Sequence, residues 1–336
     1  MARYVIKRLL QGIFVIFGVS ILIFTLSRIV PGDPGRLALG PRATQEAVDA
    51  LNKELYMDQP LYKQYAFWLR DVCRGDFGTS LVTRRSVSQD VAQFLPATLE
   101  LMIVAGVFMV GGAVWLGKTA AKNKDKFLDS AVRFMAYTGI AVPSFVVAIL
   151  LLLLFGFLWK VIPVLGRLSS GITAPNTVTG FYIIDALLEG RFSVAWNAFL
   201  HVLLPAFALS LGGMFQNARI LRNALTENMT REYMAVSKSY GLPRNLLMSK
   251  YLLKPSAGSV ITVMGLDFAA MMGNAFLVEQ IFNWPGLSRY GVNAMLSKDL
   301  NAMCAVVLII GLVFLVVNLI VDIIVGLIDP RIRYSK

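Results

Sequence analysis

Six long apolar runs alternate with polar segments along the chain, and this alternation predicts helices that cross a membrane. A helix needs about 20 apolar residues to cross a hydrocarbon layer about 30 Å thick while satisfying its own backbone polar groups. The pattern therefore predicts an all-α polytopic membrane protein with six transmembrane helices. The predicted spans are residues 9–30, 98–117, 132–158, 199–220, 259–282 and 303–328.

The polar segment after the first apolar run is too hydrophilic to enter a bilayer. It contains two short helix-like stretches on either side of Pro60, since proline restricts the residue before it. We expect a small cap outside the membrane, packed down by the aromatic residues Tyr62, Tyr65, Phe67 and Trp68. The predicted domains are residues 1–93 (a signal-anchor helix with the external cap), 94–328 (a five-helix membrane domain) and 329–336 (a cytoplasmic tail).

Composition agrees with a membrane protein, because 57% of the 336 residues are hydrophobic, 15% are charged and the mean hydropathy is +0.65. A soluble domain whose surface must be wetted is thereby excluded. The formal net charge of +12 would suggest nucleic acid, but the basic residues cluster in the loops that a six-span topology places in the cytoplasm. We therefore expect both termini to be cytoplasmic and no nucleic-acid partner.

The stretch GAVWLGKT, residues 112–119, fits the spacing of a phosphate-binding loop. Such a loop follows a buried β-strand and opens a helix, whereas this stretch ends the second apolar run. We therefore expect no nucleotide site and no cofactor bound by this chain. Lys118 is interpreted as a positive anchor at the cytoplasmic membrane surface. The glycines of this run are interpreted as sites of close helix packing; they are Gly106, Gly111, Gly112 and Gly117.

Residue types that carry catalysis or bind metals are sparse. Cys73 and Cys304 give neither a disulfide framework nor metal-ligand spacing, and we expect both to be unpaired. The single histidine, His201, has no second His or Cys within ligand spacing and is interpreted as structural. No Ser/His/Asp or Cys/His cluster is available around it. We therefore expect no catalytic site and no metal site.

The longest internal loop, residues 228–256, carries the most informative pattern. A short helix is predicted over residues 232–239, a Gly-Leu-Pro break follows at Gly241, and a second helix is predicted over residues 245–253 before Pro255 starts the next span. An apolar patch is predicted on this second helix, formed by Leu246, Leu247, Tyr251 and Leu253 and ringed by Arg244, Lys250 and Lys254. By periodicity alone, the loop fits either a lipid surface or a groove in a partner protein.

The loop resembles the ATPase-docking loop of ABC importer permeases of the dipeptide, oligopeptide and nickel group, through Glu232-Tyr233, Gly241-Leu242 and Pro255. It departs from their pattern at Ala235, Ser237 and Tyr240. Other stretches are similar to such permeases along nearly the whole chain: RIVPGDP, DFGTSL, FLPATLEL, VEQIFNWPGLSRYGVNAML and NLIVDIIVGLIDPRIRY. The segment VTGFYIIDALLEG looks most like the dipeptide and D-alanyl-dipeptide members.

The resemblance implies an ABC importer type I permease core that forms half of a translocation pathway for short peptides. It implies a location in a bacterial or archaeal inner membrane. It also implies a second homologous permease subunit, two cytoplasmic ABC ATPases that bind ATP and Mg²⁺, and an external substrate-binding protein. Closure of the ATPases would pull the docking loop and tilt the spans. The coupling residues it implies are Glu232, Tyr233, Ala235, Ser237, Gly241, Leu242, Pro243, Leu246 and Pro255.

Polar residues inside the predicted spans have two interpretations, because an intramembrane carboxylate usually faces the bundle interior or a wet cavity. Asp267 either lines the pathway, together with Met271 and Asn274, or is a hydrogen-bonded packing residue. Glu100 and Glu279 are expected to reach headgroup water. Asp322 is expected to be structural, near the cytoplasmic face. The residues Trp284, Pro285 and Gly286 are predicted to form an external turn near the binding protein.

Two alternatives remain open from the sequence. The same architecture could import nickel, metal chelates or glutathione instead of peptides. A protein of a different class, an autonomous secondary transporter driven by protons through Asp267 and Asp322, would need neither ATP nor partner subunits.

Overall fold

The computed structural model describes residues 2–29, 34–40, 42–54 and 56–328, and these fold into helices with one isolated β-bridge between Thr79 and Ser86. The helices are α1 (Ala2–Ile29), α2 (Pro34–Leu39), α3 (Gln45–Glu54), α4 (Leu61–Cys73), α5 (Val87–Lys122), α6 (Phe127–Ala141), α7 (Ser144–Leu151), α8 (Tyr182–Leu188), α9 (Phe192–Asn228), α10 (Glu232–Ser239), α11 (Arg244–Leu246), α12 (Leu253–Ile281), α13 (Leu287–Leu296) and α14 (Leu300–Ile328). Two π-helical stretches, Leu152–Leu158 and Leu247–Leu252, follow α7 and α11 directly.

Within the described residues, five helices are long and apolar enough to cross a membrane: α1, α5, α9, α12 and α14. The third predicted span is not one straight helix. It is a pair, α6 and the segment Ser144–Leu158, bent by 103°. The bend lies at Val142, whose extended backbone (φ −90°, ψ 117°) suits the residue before Pro143. Counted as one broken span, the pair brings the number to six.

Helices α5 and α9 pack along each other and form the centre of the bundle. Their close approach depends on glycine. A Cβ on Gly112 would lie 2.0 Å from Sδ of Met214, and one on Gly117 would lie 2.9 Å from the backbone oxygen of Ala218. The predicted role of these two glycines in helix packing is confirmed, and Gly106 packs in the same way on α12. Gly111 differs, because a Cβ there would meet nothing within 4 Å.

The segment after α1 packs back on that helix. Tyr65 of α4 lies 2.8 Å from Oγ of Ser20 through its hydroxyl, and its ring contacts Phe24 at 5.3 Å between centroids. Trp68 also packs on Phe24. The predicted aromatic packing is thus formed by Tyr65 and Trp68, whereas Tyr62 is 71% exposed. The sequence pattern did not separate the aromatic residues that pack on α1 from those that are exposed, because only one face of α4 meets α1.

The two ends of the described chain meet in the bundle, where α1 packs on α14. A Cβ on Gly12 would overlap the side chain of Leu315, and Nε of Arg8 lies 3.1 Å from Oδ2 of Asp322. Asp322 therefore has the structural role that its position predicts, as half of an ion pair that joins the first long helix to the last.

Candidate coupling loop and translocation cavity

Helix α10 has the bounds that the sequence predicts, Glu232–Ser239. Gly241 follows the end of the helix with a positive φ of +72°, which favours glycine, and its N–H donates to the carbonyl of Lys238 at 2.9 Å. The helix is attached through Met234, which is buried. Sequence reasoning missed Met234, although a large apolar side chain in an otherwise polar helix was a usable signal.

The predicted coupling residues of α10 and the turn after it form an outward surface. Glu232, Tyr233 and Ala235 are exposed, as are Gly241 and Pro243, while Ser237 and Leu242 are half-buried. Leu246 and Pro255 are exposed as well. These residues lie on one continuous loop at the end of α9 and are accessible to another protein.

The second half of the loop is continuous with the next span, which differs from the prediction. Residues 244–281 form one uninterrupted helical segment through α11, the π-helical stretch Leu247–Leu252 and α12. Pro255 lies inside this segment rather than at a break. Because proline has no N–H to donate to the carbonyl four residues earlier, the α-helical bonding pattern is interrupted there, and the wider π-helical turn lies immediately before it.

The predicted apolar patch on this second helix is wrong as a single surface. Leu247 is buried with Met248 and Leu252, whereas Leu246 and Tyr251 point outward. The residues divide between two faces because the π-helical turn shifts the helical period away from 3.6 residues. The buried face holds the loop against the bundle. The exposed face remains accessible.

A cavity of about 570 Å³ lies between the bend at Pro143, α9 and α12. The three residues predicted to line a pathway, Asp267, Met271 and Asn274, all lie on its wall. The remaining wall is mostly apolar and aromatic, with polar contributions from Thr138, Ser144 and Gln216. Among the described lining residues, Asp267 is the one acidic residue, and none is Lys, Arg or His.

Asp267 is held by Asn217 of α9. Nδ2 of Asn217 donates to Oδ2 of Asp267 at 2.6 Å and to the carbonyl of Gly213 at 2.8 Å. Asn217 is fully buried, and its Oδ1 has no hydrogen-bond partner among the described residues. Asp267 is thus hydrogen-bonded to a buried packing residue and also faces the cavity. Asn217 itself was missed, because its partner lies 50 residues away in sequence.

The predicted turn at Trp284 is present, but the indole faces inward. Trp284 is buried, and its Nε1 donates to the carbonyl of Ala97 at 2.9 Å. Gly286 is buried against Glu279, where a Cβ would lie 2.3 Å from the carboxylate. Glycine is therefore required at this close approach. Of the three predicted turn residues, Pro285 has partial exposure.

Glu100 and Glu279 do not reach headgroup water, contrary to the prediction. Glu279 is fully buried and accepts hydrogen bonds from Oγ1 of Thr98 at 2.6 Å and from the N–H of Arg289 at 2.7 Å. Glu100 is paired with buried Arg167. Both carboxylates tie the polar segments after α7 and α12 to α5. Their sequence positions near span ends gave no sign of these partners.

The histidine, the two cysteines and the stretch 112–119 have the surroundings that the sequence predicts for them. His201 is buried, with Nε2 3.1 Å from Oγ of Ser169 and Nδ1 3.2 Å from the carbonyl of Gly166. Cys73 and Cys304 are both free thiols. The stretch 112–119 lies inside α5, not at a strand–helix junction, so it is not a phosphate-binding loop.

Residues 95–334 match the family described as binding-protein-dependent transport system inner membrane component, and residues 1–102 match the N-terminal model of the same family. The chain belongs to this family. It is a multi-pass inner membrane protein and the membrane component of an ABC transport complex.

Named relatives cover nearly the whole chain. The probable D,D-dipeptide transport system permease protein of Escherichia coli is 36% identical over 320 residues, covering 95% of this chain and 94% of that protein. A dipeptide transport system permease protein of Alkalihalophilus pseudofirmus is 31% identical, covering 99% and 100%. A glutathione transport system permease protein of Salmonella typhimurium is 32% identical, covering 100% of both chains.

Proposed function

We propose that this chain forms half of the translocation pathway of an importer of short peptides. A second homologous permease subunit completes the pathway, an external binding protein delivers the substrate, and two partner ATPases supply the energy. The family match supports membership of such a complex, and two of the three relatives carry dipeptide in their names. Glutathione is the alternative substrate with a named relative at similar identity.

The observation that carries the mechanism is the uninterrupted helical segment 244–281. Its first turns belong to the exposed loop, and it places Asp267, Met271 and Asn274 on the cavity wall. Leu246 and Asp267 are separated by roughly 30 Å at 1.5 Å per residue. An ATPase that moves the loop therefore also moves the cavity wall, because both belong to one continuous helical segment. Each of two ATPase states can then favour a different shape of the cavity.

We propose that the loop and both termini lie in the cytoplasm. Lys118 and Lys122, at the end of α5, lie beside Asn245 of the loop. Basic residues favour the cytoplasmic ends of membrane helices. This orientation directs the exposed residues of α10 to soluble ATPases.

We propose that the cavity of Asp267 is part of the pathway. A single carboxylate in an otherwise neutral wall attracts the ammonium group of a peptide, and the described wall has no cation that would repel it. The alternative of a secondary transporter with a proton route through Asp267 and Asp322 has less support. Asp322 is paired with Arg8 and lines a different cavity, between α1, α12 and α14.

Reconstitution with the partner ATPases and the binding protein tests the coupling role of the loop. Gly241→Ala strains a left-handed residue by roughly 1–2 kcal/mol and distorts the end of α10. Gly190→Ala is the matched control, because Gly190 has φ +71°, against +72° for Gly241, and a Cβ at either position meets nothing within 4 Å. We expect Gly241→Ala to lower peptide uptake and stimulated ATPase activity several-fold, and Gly190→Ala to preserve both.

Two outcomes would contradict the proposal. Equal uptake by the two glycine variants would remove the loop from coupling. Uptake in proteoliposomes without ATP or partner subunits would place the protein in the class of secondary transporters. Uptake assays with a dipeptide, glutathione and a nickel chelate, each with the same binding protein, distinguish the substrate classes.

A further inference from the structure

Two asparagines of α9, Asn217 and Asn228, join this helix to α12 in the same way. Nδ2 of each donates to the carbonyl four residues earlier in α9, at 2.8 Å for Asn217 and 3.0 Å for Asn228. Nδ2 of Asn217 also donates to Oδ2 of Asp267 at 2.6 Å. Nδ2 of Asn228 also donates to Oγ of Ser256 at 2.9 Å. Each asparagine amide is thus fixed on its own helix and bridges to the next one.

The two bridges are equally spaced on both helices. Asn217 and Asn228 are 11 residues apart, and Ser256 and Asp267 are also 11 residues apart. Eleven residues make about three helical turns, so the two asparagines lie on one face of α9. The bridge at Asn228 lies beside the coupling loop, and the bridge at Asn217 lies about 16 Å farther along α9 at 1.5 Å per residue. The chain therefore contains a matched pair of bridges, of which one reaches the cavity.

The bridge at Asn217 differs from the other in what it leaves accessible. Its partner Asp267 lies on the cavity wall, whereas Ser256 is buried and lies outside the described wall. Asn217 binds one oxygen of the Asp267 carboxyl, Oδ2. The other oxygen, Oδ1, accepts no hydrogen bond from a described residue and is not enclosed by the protein. One oxygen is therefore held by α9, and the other is left to the cavity.

The packing around Asn217 restricts how the carboxyl can turn. A Cβ on Gly213 would lie 2.7 Å from Sδ of Met109 and 3.7 Å from Cβ of Asp267, so α9 approaches both neighbouring helices closely at this glycine. Asn217 is fully buried, and its bond to the carbonyl of Gly213 fixes the amide relative to α9. A donor held in this way restrains the rotamer of the side chain that it binds.

We propose that Asn217 is a positioning residue that sets the charge selectivity of the cavity. By holding Oδ2 of Asp267, it presents Oδ1 to the ammonium group of a peptide. This inference rests on the proposed import function, in which the cavity is part of the pathway. Asn217 lies outside the described cavity wall, so it acts on a substrate only through Asp267.

Selectivity is measured on the reconstituted complex, as uptake of alanyl-alanine relative to its N-acetyl derivative with one binding protein. Asn217→Leu and Asn228→Leu each remove one bridge, because leucine keeps the branched shape of asparagine and has no donor. We expect Asn217→Leu to lower the ratio of the two uptakes roughly 3- to 10-fold, the factor that one hydrogen bond sets. Asn228→Leu should keep the wild-type ratio even where total uptake falls. An unchanged ratio in Asn217→Leu, or an equal fall in both variants, would overturn the proposal.

Asn217→Ser is a second variant that guards against loss of the fold. A serine in a helix donates to a carbonyl of the preceding turn, as Ser210 of α9 does to Phe207 at 2.8 Å. This variant therefore keeps a donor for the α9 backbone and loses the bridge to Asp267. We expect thermal unfolding close to that of Asn228→Leu, together with the lowered ratio of Asn217→Leu. A wild-type ratio in Asn217→Ser would contradict the positioning role.

Infrared spectra of the purified full-length chain test the positioning without transport. With isotopically labelled aspartate side chains, the carboxyl band of Asp267 is the one that is missing from Asp267→Asn. We expect this band to shift in both Asn217 variants and to keep its wild-type frequency in Asn228→Leu. An unshifted band in the Asn217 variants would overturn the proposal. A shifted band together with no peptide uptake by the wild-type complex would overturn the import function on which the inference rests, so the two failures are distinguishable.

Discussion

Arg167 places Nη2 2.5 Å from Oε2 of Glu100, and both side chains are more than nine-tenths buried. The same nitrogen donates to the carbonyl of Gly180 at 2.9 Å, and the guanidinium lies 3.5 Å from the ring centre of Tyr182. The other carboxylate oxygen of Glu100 accepts the N–H of Ile183 at 2.9 Å. One buried ion pair thus attaches the polar segment between α7 and α9 to the central helix α5.

Arg167→Met is expected to destabilise the protein by roughly 3–5 kcal/mol, because Glu100 then remains buried without its partner. The double variant Glu100→Gln/Arg167→Met should be less destabilised than Arg167→Met, since it leaves no uncompensated charge. Arg231→Met is the control; its side chain and that of its partner Glu227 are 59% and 70% exposed, and such pairs contribute about 0–1 kcal/mol. Unfolding in mild detergent measures all three, and equal losses for Arg167→Met and Arg231→Met would contradict the assigned role.

Asp185 is expected to make the order of residues 178–180 depend on pH. Burial by itself raises the pKa of its carboxyl, but the hydroxyl of Thr179 and the N–H groups of Thr179, Gly180 and Val178 donate to it and hold the pKa below its ordinary value. A lowered folded-state pKa contributes stability above the unfolded value of about 3.9 that is lost as pH falls through the folded value.

Hydrogen exchange at these amides checks this dependence. In the wild type, protection should be constant from neutral pH down to about pH 4 and decrease below it. Asp185→Asn should show weaker protection at neutral pH and a flatter profile. If the variant and the wild type were equally protected at neutral pH, the carboxylate would not be what holds this turn.

Gly117→Ala is expected to destabilise the bundle more than Gly111→Ala. At position 117 the new Cβ meets the backbone oxygen of Ala218, which cannot move without shifting α9. At position 111 the Cβ meets nothing within 4 Å, and alanine gains up to about 1 kcal/mol in helix propensity. Thermal unfolding of the two variants gives the order, and a lower stability for Gly111→Ala would mean that α5 and α9 do not approach as described.

Asp267→Asn should change which substrates pass through the complex. Loss of the carboxylate removes the attraction for an ammonium group, so uptake of alanyl-alanine should fall relative to its N-acetyl derivative. Both uptakes are measured with one binding protein, and their ratio in the variant is compared with their ratio in the wild type. This comparison cancels the selectivity of delivery. Asp322→Asn provides the comparison and should leave this ratio unchanged, since Asp322 lines another cavity. An unchanged ratio in Asp267→Asn would remove Asp267 from substrate contact.

Patterns within one helix were predictable from the sequence. Apolar runs located the long helices, and the polar stretch with a Gly-Leu-Pro break gave α10 its bounds at Glu232 and Ser239. The glycines of α5 were assigned to packing because small residues let helix backbones approach closely in a membrane. These features depend on neighbouring residues, which sequence order reports directly.

Pairs between helices were not predictable. Glu279 and Thr98 are 181 residues apart, and Glu100 and Arg167 are 67 apart. Their contacts depend on how α5, α12 and the polar segments pack, and a single sequence carries no record of that arrangement. The bend at Val142 is different, because Pro143 was a visible signal inside an apolar run. The prediction of one straight span gave more weight to the apolar run than to the restriction that Pro143 places on the backbone of Val142.

The packing of α1 on α14 has a consequence for biogenesis. Gly12 meets Leu315, and Arg8 meets Asp322, across almost the whole length of the chain. A ribosome delivers α1 to the membrane first and α14 after every other long helix. Until then, α1 lacks the neighbour that fills the space beside Gly12, and the charge of Arg8 has no Asp322 to meet. Insertion of the last helix therefore completes the docking of the first.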